Sequence, residues 1–240
     1  MGNLFCTGDT HRNDVDRFLP YFNLSKDDIM VVLGDWGVIW YGENKFQSFL
    51  QKQYYPVGSY DDCALDRWET YGFSTFVVPG NHDNYDMIEK YPLVEKYGGL
   101  MREIRPHIHI ATNGEIYNLN GAKCFVMGGA PSIDKYMRVE HWTWWKQEIP
   151  SHTEFNHGFD RLDECGWNVD YVFSHEAPDY VLSVFGYKHN ILSNYLDVVD
   201  SRLINQCPSF KHHYFGHHHL DRAFTPHATC LFHDVIKLEI

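Results

Sequence analysis

Apolar residues in this chain gather into short runs that stop abruptly, and five of the stops carry the same kind of polar cluster. They read LFCTGDTH (4–11), MVVLGDWG (30–37), TFVVPGNHDN (75–84), YVFSHE (171–176) and HHYFGHHH (212–219). Each run is rich in Val, Leu, Phe and Tyr and is punctuated by Gly or Ser, the pattern of a buried strand followed by a tight turn. Between and after these runs the spacing predicts helices over 13–22, 44–53, 153–165 and 193–206. The third has a start signal, Pro150 and Ser151 followed by Glu154 at capping-box spacing.

The stretch from 103 to 127 reads instead as consecutive strands, HIHIA, EIYNL and KCFVM, separated by Asn113-Gly114 and Asn120-Gly121. Asn-Gly is the strongest short hairpin signal because both residues tolerate positive φ. Residues 222–240 alternate in the same β fashion. Strands in mixed order with helices outside predict an α/β fold of two packed sheets. No repeat, low-complexity tract or Pro/Ser-rich linker divides the chain, so one domain over 1–240 is expected.

Composition narrows the function. With 44% hydrophobic and 16% aromatic residues the 240-residue chain is not disordered. Its net charge of −12 leaves no basic footprint for general duplex nucleic-acid binding, although a small nucleotide held through metal ions is compatible with it. The cysteines are scattered without any C-x-x-C, and Cys6, Cys124 and Cys230 sit in apolar runs as buried thiols would. Reduced cysteines in a cytoplasmic protein are expected. No apolar stretch is long enough for a membrane span. The first polar cluster, at Asp9, leaves no room before it for a secretory leader.

In open α/β sheets ligands collect beyond the carboxyl ends of the strands. Asp9, His11, Asp35, Asn81, His175, His217 and His219 would then meet at one rim, all of them nitrogen or oxygen donors suited to a metal. Taken singly each is weak, since an Asp or His after a strand is common. Asp9 with His11, and His217 with His219, gain from i, i+2 spacing, which turns both side chains the same way. His218 then faces the other side and is expected to be structural.

The order of the motifs, GDxH, GD, GNHD, a lone His after a strand and GHxH, resembles the calcineurin-like metallophosphoesterases from Asp9 to His219. The resemblance implies a four-layer α/β/β/α sandwich of two mixed β-sheets flanked by helices. It also implies two divalent ions. Asp9, His11 and His219 would ligate one, Asn81, His175 and His217 the other, and Asp35 would bridge them. His82 would be the catalytic residue that faces the substrate phosphate without binding metal. Two ions about 3.5–4 Å apart polarise a phosphoryl centre and make hydroxide available near neutral pH. The implied reaction is therefore attack of a metal-bridging hydroxide on phosphorus. Imidazole, carboxylate and amide donors without thiolate put manganese first, with iron, zinc or nickel as alternatives.

Departures from the phosphoprotein phosphatase branch bear on the substrate. Where that branch carries a second Asp after the bridging one and then Arg-Gly, this chain has Val38 in GDWGVIWYG, and Arg12 replaces the Gly after the first His. GDWGVIW, GGAPSIDKYMR (128–138) and WWKQEIP (144–150) are similar instead to a bacterial and phage subgroup of small metallophosphoesterases. The GGAPSIDKYMR loop follows a strand and is expected to reach the rim, bringing Asp134, Lys135 and Arg138 towards a phosphate. Arg12 and Arg138 are the expected substrate contacts. Trp142, Trp144 and Trp145 read first as core and second as a stacking wall for a base. The leading expectation is a phosphodiesterase acting on a diester or small phosphorylated nucleotide. A phosphomonoesterase of the Ser/Thr phosphatase kind is the alternative, and a non-catalytic scaffold a third.

Overall fold

The computed structural model describes residues 2–12, 16–41 and 60–240. Among the described residues thirteen strands form two mixed sheets. In the first, β1 (Leu4–Thr7), β2 (Ile29–Leu33), β3 (Ser74–Val78) and β6 (Ile108–Ala111) run parallel. This parallel core is edged by β13 (Val235–Leu238) on one side, and by β5 (Gly99–Arg105) and β4 (Leu93–Lys96) on the other, all antiparallel to their neighbours. In the second sheet β8 (Ala122–Met127), β9 (Tyr171–Ser174), β10 (His212–Phe215) and β12 (Ala228–Cys230) run parallel, with β7 (Ile116–Leu119) and β11 (Arg222–Thr225) antiparallel at the edges.

Strand pleating builds the layers. Successive side chains point to opposite faces, so Leu4, Cys6, Val31, Leu33, Phe76 and Val78 meet Cys124, Val126, Tyr171 and Phe173 in a core between the sheets. The alternate residues Phe5, Met30, Val32 and Val77 pack outward against Phe18 and against Leu65 and Trp68 of α1 (Tyr60–Glu69). On the far side Phe125, Met127 and Val172 pack against α3 (His152–Glu164) and α5 (Ile191–Gln206) through Phe155, Leu162, Leu196 and Val199. Two short helices, α2 (Tyr85–Ile88) and α4 (Asp179–Phe185), follow β3 and β9 at the rim. Helix, sheet, sheet and helix layers result, as expected, and Cys6, Cys124 and Cys230 are buried.

Local signals behaved as their chemistry requires, with one exception. Ser151 caps α3, its hydroxyl accepting from Glu154 N–H while the Glu154 carboxylate accepts from Ser151 N–H at 2.8 Å. Asn190 and Ser193 build a second capping box, so α5 starts two residues before the expected 193. Asn120 and Gly121, with φ of 53° and 105°, join β7 to β8 as a true hairpin. Asn113-Gly114 does not make one. Its flanking strands, β6 and β7, belong to different sheets, and the chain crosses between them there. Asn113 instead accepts from Gly128 N–H at 2.8 Å and donates to Glu154 at 3.1 Å, pinning the crossing to the rim and to α3. Over 13–22 a 3₁₀ helix spans Asp16–Tyr21, with Pro20 inside it. Residues 13–15 and the helix expected over 44–53 lie outside the described residues. Among the described residues no helix is long and apolar enough to cross a membrane.

Candidate metal centre

All five expected clusters emerge at the carboxyl ends of parallel strands, three from the first sheet and two from the second. Buried loops must pair their backbone polar groups, and here that pairing closes a ring. His11 N–H donates to Asp35 C=O at 2.9 Å, and His82 N–H to Asp35 Oδ1 at 2.7 Å. Gly129 N–H donates to Pro79 C=O at 2.7 Å, and Glu176 N–H to Gly129 C=O at 3.2 Å. Gly216 N–H donates to His175 C=O at 3.2 Å, and His217 N–H returns to Asp9 Oδ1 at 3.0 Å. Six loops are thus stitched head to tail around the donors.

That close approach constrains the backbone. Gly34, at φ 91°, lies against the imidazole of His175, and a β-carbon there would overlap the ring. Gly216 is pressed between the Asp9 carboxylate and Leu33 C=O in the same way. His11, Arg12, Asp35, His217 and His219 all have φ between 42° and 69°. Non-glycine residues occupy that left-handed region at a cost and tend to cluster at functional sites.

Three donor groups result among the described residues, two of them made of the expected ligands and the third of Glu176, His217 and His218. Asp9, His11 and His219 bring their ligand atoms within 4.8 Å of one another, and so do Asp35, His175 and His217. In the first, His11 Nε2 lies 3.0 Å from His219 Nε2, which is 3.0 Å from Asp9 Oδ2. That carboxylate oxygen is buried with no hydrogen-bond donor aligned on it among the described residues. In the second, His175 Nδ1 donates to Leu33 C=O at 2.7 Å, which leaves Nε2 as the ring's lone-pair nitrogen. Nε2 points at Asn81 Oδ1, 3.0 Å away, and Asp35 Oδ1, 3.3 Å away. Three acceptors facing one another need a cation among them, so these residues fit a metal. The alternative is a proton. Burial opposes it, but the Asp35 and Asp9 carboxylates outweigh burial and lift His175 to about 10. Burial likewise opposes charge on Asp35, yet His175 holds it well below the usual carboxylate range. A divalent cation would supply the same neutralisation. His217, partly buried and beside His175, is lowered to about 4 by desolvation and that neighbour, which keeps a ring nitrogen available as a donor.

The residues around these donors divide clearly. His218 pairs with buried Glu176 at 3.1 Å and packs on Phe185, as expected of a structural residue. Glu176 also accepts from Ala177 N–H and Asn190, so its oxygens are already committed. His82 is partly buried beside Asn81, and burial lowers it below the usual histidine range. Arg138 arrives on the GGAPSIDKYMR loop as expected, its Nη2 lying 3.0 and 3.3 Å from the two ring nitrogens of His82. Asp134 Oδ1 steadies the Arg138 Nε at 2.7 Å, while Lys135 lies 3.9 Å over the Trp144 ring. Arg12 is placed differently. Its guanidinium donates to Asp61 at 2.8 Å and to Gly37 C=O at 3.3 Å, and lies over Tyr41, so it ties the first two loops to α1. Trp144 and Trp145 are buried, whereas Trp142 is 60% exposed.

Three supporting residues escaped the sequence reading. Asp83, pushed up to about 6 by burial and the nearby Asp35 charge, accepts from Gly37 N–H at 3.0 Å and Gly80 N–H at 2.8 Å. It fixes the second loop against the third. Asn81 Nδ2 donates at 3.1 Å to Ser132 Oγ, and Ser132 donates to buried Glu148. Ser132 and Glu148 belong to the GGAPS and WWKQEIP segments, whose distance in sequence gave no sign that they meet under a donor residue.

Nitrogen and oxygen donors thus converge between the ends of two mixed sheets in groups that could hold a metal ion. The chain belongs to the calcineurin-like phosphoesterase family, whose model matches residues 3–221. No curated protein is significantly similar to it in sequence. Solved structures similar to it include phosphopantetheinyl hydrolase from Mycobacterium tuberculosis, with TM-score 0.44 and 14% identity over 96% of this chain and 88% of that one. Another is a protein described as a 5′-nucleotidase of Staphylococcus aureus, solved with α-ketoglutarate, with TM-score 0.46 and 14% identity over 95% of this chain. This chain spans 48% of the length of that protein.

Proposed function

We propose that this metal-dependent phosphoesterase carries two divalent ions, manganese foremost, and hydrolyses a phosphodiester or small phosphorylated nucleotide. The observation that carries the reading is the pair of donor groups, in which His175 Nε2, Asn81 Oδ1 and Asp35 Oδ1 converge on one buried spot that calls for a positive charge. Asp9, His11 and His219 would hold one ion, Asn81, His175 and His217 the other, with Asp35 between. When bound, two such ions supply Lewis acidity at phosphorus and lower the pKa of a water towards neutrality.

The chain's own residues set up the rest. Asp35 fixes the His82 backbone, so the His82 ring stands at the edge of the donor set. Neutral at pH 7 because burial lowers it, that ring acts as a hydrogen-bond donor to a phosphoryl or departing oxygen. Arg138, in contact with it, adds one positive charge to the same spot. Val38 is fully buried in the core, so that position offers neither an acid to orient His82 nor an arginine. The test compares kcat/KM for an aryl phosphodiester and the matching monoester at one pH with one metal, alongside metal analysis. Two ions per chain and a diester preference are expected. A monoester preference, or comparable turnover of phosphoserine peptides, would move the assignment to a phosphomonoesterase.

A further inference from the structure

Among the described residues two clefts open between the rim loops, the second of them lined in part by the donor residues His217 and His219. The first, of about 750 Å³, is lined by Trp40, Tyr41, Asn84, Val139, Trp142 and Thr143, from the loops after β2, β3 and β8. The second, of about 730 Å³, is lined by Ser132, Ile133, Tyr187, Lys188, His217 and His219, from the loops after β8, β9 and β10. Both lie in the size range of small-molecule sites, and both combine aromatic faces with a few polar groups. A single segment serves both: Pro131–Ile133 walls the second cleft, Val139–Thr143 walls the first, and Arg138 between them lies against His82. The Arg138 guanidinium also donates to Thr143 C=O at 3.3 Å, so the His82 edge of the donor set borders the first cleft. His217 and His219 border the second directly.

Each cleft presents a largely exposed aromatic ring. Trp142 is 60% exposed although Trp144 and Trp145 beside it are buried. Tyr187 is 57% exposed while its ring stacks on Phe185 at 5.2 Å. A phosphomonoester has one organic group and would leave one cleft unused. A diester has two.

We infer that the substrate is a phosphodiester with a bulky ring-bearing substituent on each side, as in two nucleosides joined by one phosphate. The leaving substituent stacks on Trp142 and the retained one packs on Tyr187. This rests on the phosphodiesterase reading. Water adds to phosphorus, the ester bond on the Trp142 side breaks, and the departing oxygen takes up a proton as alcohol or phenol. The retained substituent stays on the monoester product in the Tyr187 cleft. A cyclic nucleotide, whose two ester oxygens belong to one sugar, cannot fill both clefts and is expected to be a poor substrate.

The experiment measures kcat/KM for bis(p-nitrophenyl) phosphate and methyl p-nitrophenyl phosphate in the metal-loaded wild type, Trp142→Ala and Tyr187→Ala. Both esters expel the same aryl group, and only the first has a ring to retain. Tyr187→Ala is expected to lower the bis/methyl ratio roughly tenfold, the worth of one lost aromatic stack. Trp142→Ala is expected to lower both rates in proportion and leave the ratio unchanged. Metal content and melting temperature, measured on each variant, separate these effects from misfolding. Good diester turnover with a ratio that neither variant moves would overturn the two-cleft assignment alone. Absence of diester turnover in the metal-loaded wild type would overturn the phosphodiesterase reading and this inference with it.

Discussion

Glu148 grips Ser132 with both carboxylate oxygens, accepting from its backbone N–H at 3.0 Å and from its hydroxyl at 2.6 Å. With its own proton committed to Glu148, the Ser132 hydroxyl is left as an acceptor, and it takes a hydrogen bond from Asn81 Nδ2 at 3.1 Å. An amide whose nitrogen is held this way must turn its oxygen the other way, towards His175 Nε2. Glu148 is only 2% exposed and lies 67 residues from Asn81, so it orients a donor it never touches.

Ser132→Ala should therefore loosen the Asn81 amide and weaken metal binding about 10–100-fold, the usual worth of a partner that orients a ligand. Titration calorimetry with Mn²⁺ on the metal-stripped protein measures it. The variant should also lose about 1–3 kcal/mol of stability, because a buried carboxylate and a buried amide each lose a partner. Unchanged metal affinity would show that the Asn81 amide is oriented by something else.

Asp35→Asn should empty both metal sites together. Its carboxylate contacts His175 at 3.3 Å and belongs to the second donor group, and the proposed bridging role sets the same carboxylate on the first ion as well. Elemental analysis after dialysis should find less than one ion per chain, with turnover lost in parallel. Retention of two tightly held ions would contradict a bridging role.

His82→Ala should keep the metals and slow turnover by roughly 10²–10⁴, the range for a positioned acid–base group. His82 touches Asp35 only through its backbone, which alanine retains. Loss of one ion with little further loss of turnover would recast His82 as a ligand. Arg138→Ala is expected to raise KM for a diester more than it lowers kcat, because the guanidinium lies against His82 and outside the donor groups.

The stability of the metal-stripped protein should fall between pH 6.5 and about 4. Burial, with help from Lys96, pushes His109 down to about 4, and burial together with His213 does the same to His212. An unfolded histidine titrates near 6.5, so in this window the unfolded chain binds more protons and stability rises with pH. The contribution is complete above about 6.5 and gone below about 4. His109→Gln, which still offers an acceptor to Lys96 Nζ, 3.2 Å from the ring in the native protein, should flatten the slope of denaturation midpoint against pH. Identical slopes in the two proteins would rule out His109 as a source.

The sequence by itself determined whatever depends on neighbours along the chain. Short apolar runs ending in turns marked β1, β2, β3, β9 and β10 as strands, and mixed strand order with helices outside predicted two packed sheets. Spacing alone located the Ser151 capping box and the Asn120-Gly121 hairpin, because each is closed by atoms within three residues. The donors were legible because every one follows a buried strand directly. Contacts between distant segments were decided only by the tertiary structure. Asn113-Gly114 has the dihedral freedom of a hairpin turn but crosses between sheets, because β6 pairs with β3 and β5 and leaves no edge for β7. Arg12 and Arg138 look equally placed for a phosphate in sequence. Asp61 takes the first, 49 residues away, and the loop geometry carries the second to His82, 56 residues away. The physical reason is the same in each case: local patterning fixes which face a side chain occupies, and only packing decides what stands opposite it.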